Sequence, residues 1–600
     1  MYAVTKSLDR ASLHDAYRNG LDPRSVASDC LAAAERYPGV FISLAPEASS
    51  RALDALGPFD PAAKPLWGLP FAIKDNIDLA GVPTTAACPA FAFTPERSAT
   101  AVARLIDAGA IPLGKTNLDQ FATGLVGVRT PYPVPQNSFD PAMVPGGSSS
   151  GSAIAVARGL ASFALGTDTA GSSRIPAGLN NVVGLKPTVG AVPVRGVVPA
   201  CRTLDCVSVV GLTVPDSWAV FCAMAGLDAD DPWSKAVALG TPGLVPPGLR
   251  VGIPDRASRR FFGDASSERA FDRALESYAR LGITLVEIDF APLFAVADLL
   301  YEGAWVAERY AALRPFIAAH REALHPVTAR IILGAERLSA ADAFAGLYRL
   351  AELRRATEPI WAAVDLLAVP TVPRAYRLAD LDADPIGPNS ALGTYTNFVN
   401  LLDLCSLSVP GAFRDDDLPA GTTLIAPAGH DATLAALGTA LHRAAGVTLG
   451  ATGCLMPEAP ALKEPELGPD ETEMVVLGAH LSGMPLNRDL VALGGRFRRS
   501  VMTAPIYRLY ALQGGPPARP GLVRVGSGDG AAIATEVWAL PFDGLGRFVG
   551  AIPAPLGIGT VRLADGTAPK GFLCETAGLA GAEDITAHGG WRDYVASRAT

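Results

Sequence analysis

The sequence predicts an α/β protein, a mixed β-sheet core covered by helices, followed by a second, β-rich domain. Three observations carry that expectation. Short apolar strand-like runs alternate with helical stretches through residues 1–447, the pattern of an α/β layer structure. Residues 448–472 are rich in proline and acid and read as a linker. Beyond residue 473, period-two segments separated by Gly/Pro turns predict strands.

Residues 6–36 read as helical, with Leu8, Leu13, Tyr17, Leu21 and Val26 as apolar anchors. Strands are expected at 69–73, 111–117, 162–166 and 184–188, and helices at 100–108 and 150–159. A long helical block covers 290–365, with breaks expected near Pro315 and Pro326, where the ring removes a donor. The chain then returns to strand at 367–373. After the linker, strands are expected at 474–478, 506–512, 533–540 and 559–563, within a domain spanning 473–600.

Six hundred residues exceed one typical domain, and a composition of 49% hydrophobic and 18% charged residues is globular. The net charge of −9, without a basic run, argues against nucleic acid as a partner. No apolar stretch suits a secretory signal or a bilayer span, so no membrane partner and a cytoplasmic location are expected. Eight cysteines without a CxxC pair read as reduced thiols. Seven histidines without HExxH spacing give no indication of a metal, and no cofactor is expected.

Chemistry concentrates in three segments. Residues 68–76 form an apolar run ending in Lys74, Asp75 and Asn76; residues 146–152 read Gly-Gly-Ser-Ser-Ser-Gly-Ser; residues 166–176 embed Asp168, Arg174 and Pro176 among small residues. A serine needs a base to become a nucleophile, and no histidine lies near these elements. A buried lysine can serve, because desolvation favours its neutral form. A lysine in that position could instead pair with Asp75. In their order, the three segments resemble the amidase signature family. The resemblance implies Ser172 as nucleophile, Ser148, on a cis peptide, as the bridging serine, and Lys74 as base. It places the oxyanion hole at the amides of Thr169, Ala170, Gly171 and Ser172, where small residues let backbone approach developing charge. Asp168 and Arg174 are expected to brace this loop. Two positions depart from the family pattern: Ala170 replaces a usual glycine, and Gln120 a frequent glutamate.

The segment 300–310 is similar to one in allophanate hydrolases, and implies that Tyr301 and Arg309 grip a substrate carboxylate. Eight helical residues advance ~12 Å and rotate ~80°, so the two side chains converge only around a substrate or if the helix bends near Gly303. The alternative for Arg309 is a solvated helix charge paired with a carboxylate. The loop 119–127 also resembles that family's, with Gly124 presenting backbone to a small substrate. Segments 478–487, 503–510, 555–559, 570–575 and 589–591 resemble the family's C-terminal domain, which implies a γ-glutamylcyclotransferase-like barrel.

The resemblance implies two steps without a cofactor. Allophanate is deaminated to N-carboxycarbamate and ammonia, and the second domain then promotes decarboxylation, for net products of ammonia and carbon dioxide. His480 is the candidate there, with Asn487 and Arg508 holding a dicarboxylate; Glu536 and Glu575 are weaker candidates. His480 as a satisfied histidine at a strand end stays open. So do other readings: an amidase for another small amide or half-amide with the second domain as an assembly module, or a glutamine-hydrolysing component of an amidotransferase. The helical block predicts a homodimer, and urea carboxylase or a biuret-processing enzyme is the expected functional partner.

Overall fold

The computed structural model describes residues 7–302, 304–458 and 464–599. The chain divides into two compact units. The first comprises Met1–Leu239, Val251–Leu281 and Leu285–Glu458; the second comprises Gly240–Arg250, Gly282–Thr284 and Ala459–Thr600.

The first unit is built on an eleven-stranded mixed sheet. Its strands run in the spatial order Phe41–Leu44, Ile111–Thr116, Pro70–Lys74, Phe163–Asp168, Cys206–Gly211, Val183–Lys186, Leu404–Pro410, Gly421–Pro427, Leu366–Pro370, Arg250–Pro254 and Thr284–Ile288. Pro70–Lys74 lies parallel to both of its neighbours. Parallel strands need covered faces, and each residue of Pro70–Lys74 and Phe163–Asp168 is buried. Phe71 stacks on Phe163 with ring centroids 5.1 Å apart, and the register pairs Ile73 with Leu165. That register brings Lys74, the last residue of its strand, beside Gly166 and Thr167. A sequence-distant apolar cluster, including Phe290, Leu293, Leu300, Trp305 and Tyr395, packs the helical block onto this core.

The helical block differs from expectation at its prolines. Pro315 lies inside the helix Ala304–His320. Leu313 and Ile317, on either side of it, are buried against Phe121, Ala86 and Cys88, which holds the helix through the missing hydrogen bond. The break comes at Arg321–Ala323, and Pro326 opens the next helix, Pro326–Ile332, where its missing N–H costs nothing.

Residues 448–451, expected as the start of a linker, are instead packed, whereas Gly453 and Leu455 beyond them are exposed. Leu449 is fully buried, Gly450 N donates to Asn181 O (3.1 Å) and Ala451 N to Ala157 O (2.8 Å). Glycine marks a tight turn as readily as a spacer, so composition alone misplaces this boundary. Residues 459–463 of the expected linker lie outside the described residues.

The second unit holds a five-stranded sheet, in the order Arg496–Met502, Ala534–Pro541, Glu471–Val476, Lys570–Cys574, Leu556–Thr560, and a three-stranded one, Pro520–Arg524, Tyr507–Ala511, Glu583–Asp584. Its core gathers Met474, Leu509, Leu522, Val537, Trp538 and Phe572, with Leu244 from the 240–250 segment packed against it. The helices Asn487–Ala492, Phe542–Gly550 and Trp591–Ala599 are absent from the period-two reading. Among the described residues, no helix is long and apolar enough to cross a membrane.

Candidate active site

Lys74 is fully buried at the end of its strand. Its Nζ donates to Ser148 Oγ at 2.7 Å and to Thr167 Oγ1 at 2.8 Å. The neighbouring carboxylate does not take it: Asp75 binds Lys115 Nζ at 2.8 Å and the Thr85 amide at 3.0 Å. Burial pulls the Lys74 pKa down to about 7, against the opposing pull of Asp119, Asp168 and Asp205. A lysine so placed is largely a free amine just above neutrality, with a hydroxyl in front of it.

Ser148 follows a cis peptide from Gly147. The next residue, Ser149, donates its N–H to Ser172 O at 2.9 Å, which brings the two serine loops together. Asp168 and Arg174 form a fully buried bidentate pair, Nη2–Oδ1 2.8 Å and Nε–Oδ2 3.0 Å. The Arg174 guanidinium holds Asp168 below the usual carboxylate range. Arg174 also reaches Thr396 O, and Asn400 Nδ2 donates to Asp168 O at 2.8 Å, so the loop is braced from three sides. Gly171 has φ +139, and a Cβ there would collide with the Thr396 hydroxyl. Ala170, the departure from the family glycine, stays outside the left-handed region. Among the described residues, no acceptor takes up the amides of Thr169, Ala170, Gly171 or Ser172. Four adjacent backbone donors beside a serine suit an oxyanion.

The loop from Asp119 to Thr130 forms another wall. Asp119 accepts from the amides of Gly127 and Arg129, both at 2.9 Å, and its own N–H binds Ser148 O at 3.1 Å. Gly124 lies where a Cβ would run into the Asp119 carboxylate. Phe121 and Ala122 both hold φ +52, strained backbone of the kind that persists where surroundings enforce it. Gln120 ties this loop to the helical block, donating to Ala323 O at 3.0 Å and accepting from His325 N at 2.6 Å.

Tyr301 and Arg309 do converge: the guanidinium lies 6.0 Å from the Tyr301 ring centroid. Gly303, the expected bend, lies outside the described residues; the helices on either side end at Glu302 and begin at Ala304. Arg309 is 2% exposed, not a solvated charge. Its Nη1 reaches Thr123 Oγ1 at 3.4 Å, and its Nε has no partner among the described residues. Asp205 links this pocket to the serine loop, accepting from Thr169 Oγ1 at 2.5 Å while feeling both Arg309 and Lys74.

In the second unit, His480 stacks on Phe572 (5.2 Å, 17°) and meets Phe548 edge-on at 4.9 Å. Burial lowers its pKa to about 4, so it is a neutral imidazole at physiological pH. Asn487 donates its side chain to His480 O at 2.9 Å and holds that turn. Arg508 is not brought to this pocket: its guanidinium is taken by Asp529 O and Asp584. The arginine lining the pocket with His480, Leu556 and Phe572 is Arg519. Glu536 is buried and bound by Ser482, Trp538 and Arg592, a bracing role. Glu575 is exposed.

Sequence reasoning missed Thr167, Asp205, Asn389 and Arg129. Asn389 accepts from Leu125 N at 2.7 Å and faces the Tyr301 hydroxyl. None lies in a glycine-serine element except Thr167, which reads as an ordinary strand residue.

Residues 28–435 match the amidase family, and residues 472–596 the allophanate hydrolase C-terminal domain. The chain is 43% identical over 544 residues to urea amidolyase of Lachancea kluyveri, covering 88% of this chain but 30% of that protein. It thus spans less than a third of the urea amidolyase it resembles. It is 34% identical to a glutamyl-tRNA(Gln) amidotransferase component of Nitratidesulfovibrio vulgaris, over 73% of this chain and 97% of that one. Among solved structures, allophanate hydrolase of Kluyveromyces lactis superimposes with a TM-score of 0.76 at 38% identity, covering 98% of this chain and 99% of that one.

Proposed function

The chain belongs to the amidase family and carries an allophanate hydrolase C-terminal domain, and from that premise we propose that it hydrolyses allophanate to ammonia and carbon dioxide. The observation that carries the reading is the 2.7 Å contact of a buried, neutral-poised Lys74 with Ser148, next to the Ser172 loop. Ser172 Oγ attacks the ureido carbonyl as its proton passes through Ser148 to Lys74. The oxyanion forms against the amides of residues 169–172. Lys74 returns the proton through Ser148 to the leaving nitrogen, the C–N bond breaks, and ammonia departs. Water then attacks the acyl-Ser172, releases N-carboxycarbamate and restores the serine. Arg309 and Tyr301 hold the substrate carboxylate, and Gly124 leaves room beside it.

N-carboxycarbamate loses one carboxyl group as carbon dioxide, and its nitrogen takes a proton to give carbamate. The second domain favours this step in a pocket where His480, neutral, hydrogen-bonds the departing carboxylate. The protein works in the cytoplasm, downstream of an activity that makes allophanate, such as a urea carboxylase or a biuret-processing enzyme. Phe344, Leu347 and Tyr348 form an exposed apolar stripe on the helix Ala340–Ala363 and support a homodimer through the helical block.

The deciding experiment assays purified protein on allophanate, malonamate, biuret and glutamine, following early ammonia and early carbon dioxide. Turnover of allophanate well ahead of the others bears the reading out. Preference for glutamine moves the chain to the amidotransferase class, and equal use of malonamate makes it a half-amide amidase.

A further inference from the structure

Arg129 is among the largest side chains buried in the molecule, at 2% exposure. Its guanidinium donates from Nη1 to Thr123 O and from Nη2 to Pro385 O, both at 3.0 Å. Thr123 is also the residue whose hydroxyl meets Arg309. Two buried guanidiniums therefore hold one residue from its two polar ends; both feel Tyr301, and Arg129 also feels Arg309.

A buried charge is costly unless something opposes it. The nearby carboxylates act on the arginines only through space, Asp119 on Arg129 and Asp205 and Glu308 on Arg309, because their oxygens are bonded to neutral groups. Asp119 is turned onto the Gly127 and Arg129 amides, Asp205 onto Thr169 and the amides of Ala200 and Cys201, and Glu308 onto Thr203. Among the described residues, neither arginine has a carboxylate in ion-pair contact. The pocket holds two cations where the sequence foresaw one.

We infer that Arg129 is a positioning residue for anionic substrate: it fixes Thr123, and through it Arg309, and its charge adds to the positive field at the carboxylate end of the pocket. This rests on Arg309 reading the carboxylate. The class of ligand follows from the charge: a small amide bearing a carboxylate is favoured over its uncharged diamide. The bonds to two carbonyls orient the Arg129 fork, while its charge remains uncancelled by them.

Competitive inhibition of allophanate turnover reports this pocket alone. Malonamate and malonamide are compared as inhibitors, since they differ in one carboxylate. Arg129→Gln should weaken malonamate about tenfold and malonamide by less than about twofold, while kcat changes little. Arg129→Lys, which keeps the charge, should recover most of the malonamate affinity. Equal weakening of both inhibitors, or of neither, overturns the inference. Should Arg129→Gln not fold, Arg309→Gln carries the test: a residual preference for malonamate there supports a second cation, and none overturns it. A wild-type protein that does not distinguish the two inhibitors sinks the Arg309 reading itself, a separate failure.

Discussion

The Lys74–Ser172 centre and the His480 pocket are built on opposite plans. Around Lys74, polar groups are fully buried and mutually bonded, and a charge is pushed close to its titration point. Around His480, a neutral ring sits between two aromatic side chains; of the polar residues expected beside it, Asn487 bonds the His480 backbone carbonyl and Arg508 is held elsewhere. A site that must move protons among hydroxyls needs a tuned base. On the proposed division of labour, release of carbon dioxide in the second unit would call for no more than a modest hydrogen bond.

The largest test of that contrast lies in the first centre. Ser172→Ala should lower ammonia release by about 10⁴-fold or more with little change in melting temperature, and Lys74→Ala comparably. The double variant should lose far less than the product of the two losses; multiplicative losses would show that they do not act as a unit. The pH profile follows from the depressed lysine. Below about pH 7 its amine is protonated, so kcat/KM should rise with pH and level above that value. The folded pKa lies below the unfolded value, so the unfolded chain binds the extra proton between them and stability rises with pH across that window. Lys74→Met should therefore be more stable than wild type below pH 7 in thermal melts, and show no ascending limb.

Next in size is Arg309→Gln. Losing a charge-assisted contact should raise KM for allophanate ten- to a hundredfold, about 1.5–3 kcal/mol, and affect biuret much less. His480→Ala in the full-length protein should leave the first ammonia untouched and slow early carbon dioxide by about tenfold or less. Carbon NMR on labelled substrate would show N-carboxycarbamate lingering; unchanged product courses would reduce the second domain to an assembly module. Smallest in effect on catalysis, Phe344→Glu with Tyr348→Glu should shift sedimentation from dimer to monomer.

The same contrast explains what can be read in advance. Gly171 and Gly124 are small because neighbouring groups leave no room for a Cβ, and such demands show directly as glycine in the chain. The α/β alternation is legible because strands buried on both faces are continuously apolar. Arg129 and Asn389 leave no signal, since a lone arginine or asparagine reads as surface until distant segments close over it. Local pattern points to Arg508 rather than Arg519 because it does not encode which residues the fold gathers around His480: both flank or lie in the paired strands Tyr507–Ala511 and Pro520–Arg524, and Arg519 is the one that lines the pocket. The packed segment at 448–451 reads as spacer for the same reason.

The strap Gly240–Arg250 has a consequence for how such proteins can be recombined. Pro247 O binds Ser482 Oγ, and Leu244 N donates to Phe497 O at 3.2 Å. A graft that exchanges everything after Glu458 would leave this strap behind with its lodging gone, and the incoming piece would lack part of its own upholstery. Inheritance of the C-terminal part is therefore tied to a sequence more than two hundred residues upstream, and successful chimeras should be those that carry both pieces together.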